Sequence, residues 1–175
     1  MKLKKFNFIK VKSTNNTAIR LIKKGNDYGI VSSESQSDGK GQRGNKWISK
    51  KGNLFISIFF KINNKISIRN ITNLNLLIIK NIISNQIKQN IKVKPPNDIL
   101  IHKKKVCGIL QEIVQRKEIK YLVVGIGLNL IKSPNITNYP TTNLYKLTNV
   151  KISVSNVSKK LILIYMNFLK SKKFF

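Results

Sequence analysis

Residues 33–61, SESQSDGKGQRGNKWISKKGNLFISIFFK, decide how this 175-residue chain is read. The stretch holds four of the nine glycines and the only tryptophan. Gly39, Gly41 and Gly44 spell G-x-G-x-x-G, a spacing shared by unrelated phosphate-binding devices. A dinucleotide fold needs a strand, then the glycines, then a helix, with an acid about 20 residues on. Here the loop runs into NLFISIFFK, which is strand-like, and no Asp or Glu occurs between Asp38 and Asp98. A Walker loop needs Lys and Ser/Thr directly after its last glycine; Asn45 and Lys46 stand there instead. A kinase glycine loop does sit between strands, yet H-R-D and D-F-G are absent and the chain is too short for two lobes. What is left is a strand–loop–strand whose glycines let backbone N–H groups approach an anion closely. Lys40, Arg43 and Lys46 add positive charge, and Arg43 adds a bidentate fork for phosphate. Trp47 closes the loop with a flat aromatic face. Taken alone, the stretch is equally a solvated hairpin tip.

Working outward, residues 3–11 alternate like a short strand. In STNNTAIRLIKKG, Ser13 or Thr14 can cap a helix with Ala18, Leu21 and Ile22 on its apolar face, and Gly25 stops it. YGIVSSES reads as a strand. Residues 68–90 keep helical spacing, with Ile71, Leu74, Ile78, Ile82 and Ile83 on one face. IKVK is a short strand broken by Pro95 and Pro96. DILIHKKKVCGILQEIVQ reads as a hairpin turning near His102–Lys104. KYLVVGIGLNL has a continuous apolar run and predicts a strand buried on both faces. Residues 132–149 read as an Asn/Thr/Pro-rich loop. A last amphipathic helix spans 154–170, with Val157, Leu161, Ile164, Tyr165 and Phe168 inward. Hairpins with helices set apart from them give an α+β class.

Hydrophobic residues make up 41% of the chain, enough for the core of a single domain over residues 1–175. The charge is extreme, with 34 Lys+Arg against 6 Asp+Glu and a net +28. Lys, Ile and Asn recur everywhere, and no basic block stands apart from a neutral body. That pattern reads as compositional drift rather than a dedicated nucleic-acid face, although such a surface attracts polyanions at low salt. A single cysteine, Cys107, excludes an internal disulfide and fits a reducing cytosol. The first residues lack the apolar stretch of a secretory signal, and no apolar run approaches 18 residues. A soluble cytoplasmic protein with no membrane partner and no specific DNA is expected.

Three further stretches add chemistry to the glycine loop. KPPNDILIHKKKVCGILQE sets Asn97 and Asp98 at a strand start and Lys105 three residues before Gly108; Asp98 and Glu112 are two of only six acids. GIGLNL ends a buried strand with Gly125, Gly127 and Asn129, and STNN opens the first helix with small polar donors. Together these resemble the catalytic domain of biotin–protein ligases. The matching residues are Ser13-Thr14-Asn15; Gln36, Gly39-Lys40-Gly41-Gln42-Arg43-Gly44, Trp47, Ser49, Asn53-Leu54 and Ser57; Lys94-Pro95-Pro96-Asn97-Asp98; Lys105, Gly108-Ile109-Leu110 and Glu112; and Gly125-Ile126-Gly127 with Asn129. Each motif alone is modest, but five in order are specific.

The resemblance implies a mixed, largely antiparallel β-sheet with helices on one face, like the class II synthetase-type biotin/lipoate ligase domain. It implies ATP-dependent biotinylation of a lysine on a biotin carboxyl carrier domain through biotinyl-5′-AMP. Lys105 and Arg43 would be catalytic. Ser13, Thr14, Asn15, Gln36, Lys40, Gly41, Gln42, Lys105 and Gly108 would bind biotin. Gly39, Gly44, Trp47, Asn97, Asp98 and Asn129 would hold ATP and the adenylate. Mg²⁺ would accompany ATP rather than sit in a protein-built cluster, and the resemblance leaves room for a homodimer. Two positions depart from the pattern: Pro95 stands where the family has tryptophan, and Gln42 where many members have arginine. The match begins by Ser13 and the chain ends after one helix, so the resemblance is to a minimal form without N-terminal DNA-binding and C-terminal SH3-like domains. The rivals are a lipoate–protein ligase, a non-catalytic basic nucleic-acid-binding protein, and an eroded, inactive ligase. His102 is most simply a turn residue and Cys107 a packed small hydrophobe; Asp98 and Glu112 are either site residues or structural salt bridges.

Overall fold

The computed structural model describes residues 3–63 and 67–170. The strands are β1 (Lys4–Val11), β2 (Gly29–Gln36), β3 (Leu54–Ile62), β4 (Ile91–Lys94), β5 (Asp98–Ile101), β6 (Lys104–Arg116) and β7 (Ile119–Leu128), and the helices α1 (Thr14–Lys23), α2 (Ile68–Ser84), α3 (Leu144–Thr148) and α4 (Val154–Lys170). The strands form one seven-stranded sheet in the order β1-β2-β3-β7-β6-β5-β4. β1 and β2 run parallel, joined through α1, and every other pairing is antiparallel. The fold is therefore α+β with a mixed, largely antiparallel sheet, as the sequence implies.

Strand periodicity divides the core in two, because successive side chains point to opposite faces. Ile56, Ile58 and Phe60 of β3 and Leu122, Val124 and Ile126 of β7 join the larger cluster, with Ile71, Ile79 and Ile83 of α2 and Leu161 and Tyr165 of α4. The alternate residues Val31, Phe59, Tyr121 and Val123 form a smaller cluster with Ala18 and Ile22 of α1. Helices thus cover both faces, which corrects the expectation of helices on one face only. The reason is visible in β7, whose uninterrupted apolar run needs cover on each side. Burying an aliphatic or aromatic side chain of this size stabilises by about 1.5–3 kcal/mol, so an uncovered α1 face would leave Phe59, Tyr121 and Val123 costly.

Several boundaries differ from the sequence expectations. α2 stops at Ser84, where Gln86 N donates to Ile83 O, instead of running to 90. The stretch expected to be loop contains α3, capped by the Asn143 side chain, which accepts from Lys146 N, and ended by Asn149 in the left-handed region. In α4, Val157, Leu161, Tyr165 and Leu169 are fully inward, whereas Ile164 and Phe168 are half-buried. His102 and Lys103 both have positive φ, which makes the β5–β6 connection a tight two-residue turn. Cys107 is buried in the larger cluster, and burial pushes its thiol far up, away from nucleophilic use. Among the described residues no helix is long and apolar enough to cross a membrane.

The smaller face positions the site. Along it each of three strands changes character over a few residues. β3 passes from Phe59 to Ser57, β6 from Val114 to Glu112 and then Gly108, and β7 from Val123 to Gly125 and Gly127. Bulky side chains pack under the body of α1; small and polar ones lie beyond its N-terminus.

Candidate functional site

Where the side chains shrink, a cleft of about 450 Å³ opens. Its inner wall is the start of α1. Ser13 caps the helix by accepting from Asn16 N, which holds Thr14 and Asn15 in the first turn facing the sheet. Thr14 donates to Gln36 Oε1 from both its backbone N–H (2.7 Å) and its hydroxyl (3.1 Å). Gln36 Nε2 donates to Ser49 Oγ at 2.9 Å. Asn15 Nδ2 donates to Glu112 Oε2 at 2.7 Å, and Ser57 Oγ donates to Asn15 Oδ1 at 2.6 Å. Ser57 Oγ also lies 2.8 Å from Thr14 Oγ1. These contacts fix every polar head in one orientation, and Ser57, Thr14 and Asn15 are almost fully buried. Such an array suits a neutral ligand that both donates and accepts hydrogen bonds.

The floor is made of glycines. A Cβ on Gly125 would collide with the Asn15 amide, and one on Gly127 would collide with the Trp47 indole. A Cβ on Gly108 would come within 2.8 Å of Trp47 Cζ3. The indole therefore lies directly on the sheet, as only glycines permit. Its buried Nε1 has no hydrogen-bond partner among the described residues.

The glycine loop forms the lid. Trp47 N donates to Gly39 O (2.8 Å) and Gly41 N to Asn45 O (2.7 Å), closing it as a small hairpin. Lys40 and Lys46 face each other across an isolated bridge, and Arg43 sits at the tip with φ 54°, a strained left-handed position for a side-chain-bearing residue. Like charges directly opposite repel, so an anion between them would relieve the closed loop. Lys94 adds a further cation to the same cleft.

Lys105 enters from β6. Its Nζ lies 2.8 Å from Asp98 Oδ1, and the two side chains are 14% and 19% exposed. Asp98 is the one carboxylate lining the cleft among the described residues. The Lys105 ammonium also lies 5.4 Å from the Trp47 ring and 5.2 Å from the Tyr139 ring.

The structure brings most of the sequence candidates together. Ser13, Thr14, Asn15, Gln36, Lys40, Gly41, Gln42, Arg43, Trp47, Asn97, Asp98, Lys105 and Gly108 all line the cleft. Gly39 does not; it is buried against Gln36, Ser49 and the Trp47 carbonyl. Gly44 lies in open space at φ 77°. Asn129 lies beneath, in a small neighbouring pocket with Trp47 and Tyr139; it donates to Thr142 O at 3.1 Å and meets Asn53 at 3.4 Å. Ser57 and Glu112 act on the cleft through Asn15 rather than by lining it. Tyr139 is the residue that sequence reasoning missed, because it sits in an Asn/Thr/Pro-rich stretch with no motif around it. No group of three or more His, Cys, Asp or Glu that could hold a metal occurs among the described residues.

A family model, the biotin/lipoate A/B protein ligase family, matches residues 6–129. The bifunctional ligase/repressor BirA of Bacillus subtilis is 27% identical over 165 residues, covering 87% of this chain and 50% of that protein. The chain thus spans about half the length of that curated relative. Among solved structures, the Aquifex aeolicus biotin protein ligase in complex with biotin and ATP superimposes with a TM-score of 0.79 at 27% identity, over 97% of this chain and 72% of that one. The Leishmania major biotin protein ligase in complex with biotinyl-5-AMP shares the fold, with a TM-score of 0.75 at 21% identity over 92% and 72% of the two chains.

Proposed function

The chain belongs to the biotin/lipoate A/B protein ligase family, and from that premise we propose that it activates biotin with ATP and transfers it to a lysine of a biotin carboxyl carrier domain. The biotin carboxylate attacks the α-phosphorus, a P–O bond forms, and pyrophosphate leaves. The neutral amine of the carrier lysine then attacks the acyl carbon of the anhydride, and AMP leaves with the bonding pair. In-line displacement at phosphorus depends on positioning and charge neutralisation, not on a covalent helper.

The observation that carries the proposal is the meeting, in one cleft, of a buried neutral hydrogen-bonding array and the Lys105 ammonium. The ureido ring of biotin carries two N–H donors and a carbonyl acceptor, a match in kind for Thr14, Asn15 and Gln36, with Ser57 bonded behind them (3.1 Å or less between their paired atoms). The dithiolane of lipoate offers no comparable groups and would gain no hydrogen bonds from such an array. Lys105 would hold the reacting carboxylate beside the α-phosphate, offsetting their mutual repulsion, and would stabilise the charge on the phosphoryl oxygens. The loop 39–47 would close over the adenylate and keep water from it, with Arg43, Lys40 and Lys46 toward the phosphates. Asp98 is the one carboxylate lining the cleft among the described residues, so the cleft residues build no cage for Mg²⁺; the ion would arrive on the phosphates of ATP, and no step here is routed through it.

The test is ATP–pyrophosphate exchange with purified protein. Exchange that requires biotin supports the proposal. Exchange that responds to lipoate and not biotin would replace it with a lipoate ligase. No exchange with either acid would count against both.

A further inference from the structure

The segment 131–143 leaves β7 and crosses back to β6. Lys105 N donates to Pro140 O (2.9 Å) and Thr142 N donates to Lys105 O (2.9 Å). At its root, Asn53 Oδ1 accepts from the backbone N–H of Leu130 (3.0 Å), Ile131 (3.0 Å) and Lys132 (3.1 Å). The segment is therefore anchored at both ends, and its anchor on β6 is the backbone of Lys105 itself. That register brings the Tyr139 ring to 5.2 Å from Lys105 Nζ, with the Trp47 ring at 5.4 Å.

We propose that Tyr139 is a positioning residue that steers the Lys105 ammonium within the cleft, a role that rests on the biotin-activating function proposed above. Lysine has a long stem with several rotatable bonds, and freezing it costs entropy. An aromatic face within about 6 Å attracts an ammonium without supplying a lone pair that neutralises it. Asp98 does neutralise it, at 2.8 Å. With Asp98 alone, Lys105 would be held by a partner that competes with the reacting carboxylate. With two rings beside it, the ammonium can loosen from Asp98 and stay in the cleft as a full positive charge. Trp47 rests on the glycine floor, and Tyr139 sits on a segment tied to the Lys105 backbone, so both rings stay in place while the ammonium moves between them.

The experiment uses the full chain with Tyr139→Leu and Tyr139→Phe. Biotin-dependent ATP–pyrophosphate exchange is resolved into kcat and KM for ATP, and the Lys105 ε-methylene protons are followed by NMR. Ring currents should place those protons upfield in the wild type. Leu should remove the Tyr139 share of that shift, leaving the share from Trp47, and lower kcat roughly tenfold, with KM for ATP little changed and an unchanged thermal midpoint. Phe should keep both the shift and the rate. The proposal is overturned if Leu raises KM for ATP and leaves kcat intact, since Tyr139 would then only wall the nucleotide. It is equally overturned if Phe fails as Leu does, since the hydroxyl and not the ring would matter. The wild-type shift needs no variant to fold, and random-coil positions for those protons would also overturn it. If exchange requires no biotin at all, the functional proposal fails instead, and the NMR comparison still decides whether Tyr139 holds Lys105.

Discussion

Asp27 and Asp98 are two of the six acids in this chain, and each meets a lysine, yet their surroundings differ in a way that separates scaffold from site. Asp27 lies just past the C-terminal end of α1. Lys61 Nζ is 2.6 Å from Oδ2, Arg116 Nη2 is 2.5 Å from Oδ1, and Tyr121 donates its hydroxyl to the same oxygen at 2.7 Å. Arg116 also donates to Ile22 O at 2.7 Å, closing the end of the helix. Burial by itself would raise this carboxyl, but hydrogen bonds from Lys61, Tyr121 and Arg116 outweigh it and hold Asp27 down at about 2. Asp98 lies toward the opposite end of α1, is more buried, and has one ion partner. A carboxylate with three donors has nowhere to go. A lysine with one carboxylate and two aromatic faces can change partner. Saturation marks the bolt, and incompleteness marks the working pair.

The sharpest way to break that contrast is Lys105→Ala. It should lower biotin-dependent pyrophosphate exchange by about 10²–10³-fold, the scale of losing one preorganised charge-stabilising group. Exchange at the wild-type rate would remove Lys105 from the chemistry. Gly127→Ala should come next, at roughly a hundredfold, because the added Cβ collides with the indole of Trp47 and misplaces the lid. Its control is the melting temperature, which should move far less than the rate.

At the scaffold end the signs reverse. Asp27→Asn should leave exchange within about twofold and lower stability by about 1.5–3 kcal/mol, the range for hydrogen bonds to a charged group, as read by urea unfolding. The pH dependence follows from the lowered carboxyl. Because the folded value, about 2, lies below the ordinary 3.8, the stabilisation is complete above that ordinary value. It is lost as pH falls from there through the folded value. A variant that matched wild type in stability at pH 7 and in that acid window would show that the Asp27 cluster bolts nothing.

The same contrast explains what could be read from the sequence. The strand-like apolar runs in NLFISIFFK and KYLVVGIGL are local signals, and both became central strands. The glycines of the floor were legible as motif positions, but their reason was not: Gly108 and Gly127 matter because an indole some 60 to 80 residues away in sequence lies on them, a contact only the fold creates. Helix placement failed for a similar reason. The period of α1 says that one face is buried, not which face of the sheet receives it. Tyr139 was invisible because its significance lies in main-chain bonds to Lys105 across 35 residues of chain. Glu112 was left open between site and salt bridge, and neither description suffices, since it accepts from Asn15 and orients it.

The smallest effect is expected at Gln42. It lines the cleft at the start of the loop's single helical turn, where many ligases of the resembling family carry arginine. Gln42→Arg would add a fourth cation to Lys40, Arg43 and Lys46, two of which already face each other. Without a ligand, the added charge increases repulsion within the loop and favours opening. With an adenylate in place, it supplies another charge-assisted contact to phosphate. Repulsion acts alone in the free protein and is outweighed by the phosphate contact in the complex, so the change should appear in retention rather than in synthesis. We expect the spontaneous release of biotinyl-5′-AMP, measured in the absence of a carrier, to slow by about two- to fivefold, a gain of the size of an exposed ion pair. The gain should shrink as salt is raised. An equal gain at low and high salt would mean that the arginine acts by packing, and faster release would mean that repulsion within the loop outweighs the phosphate contact even when the anion is bound.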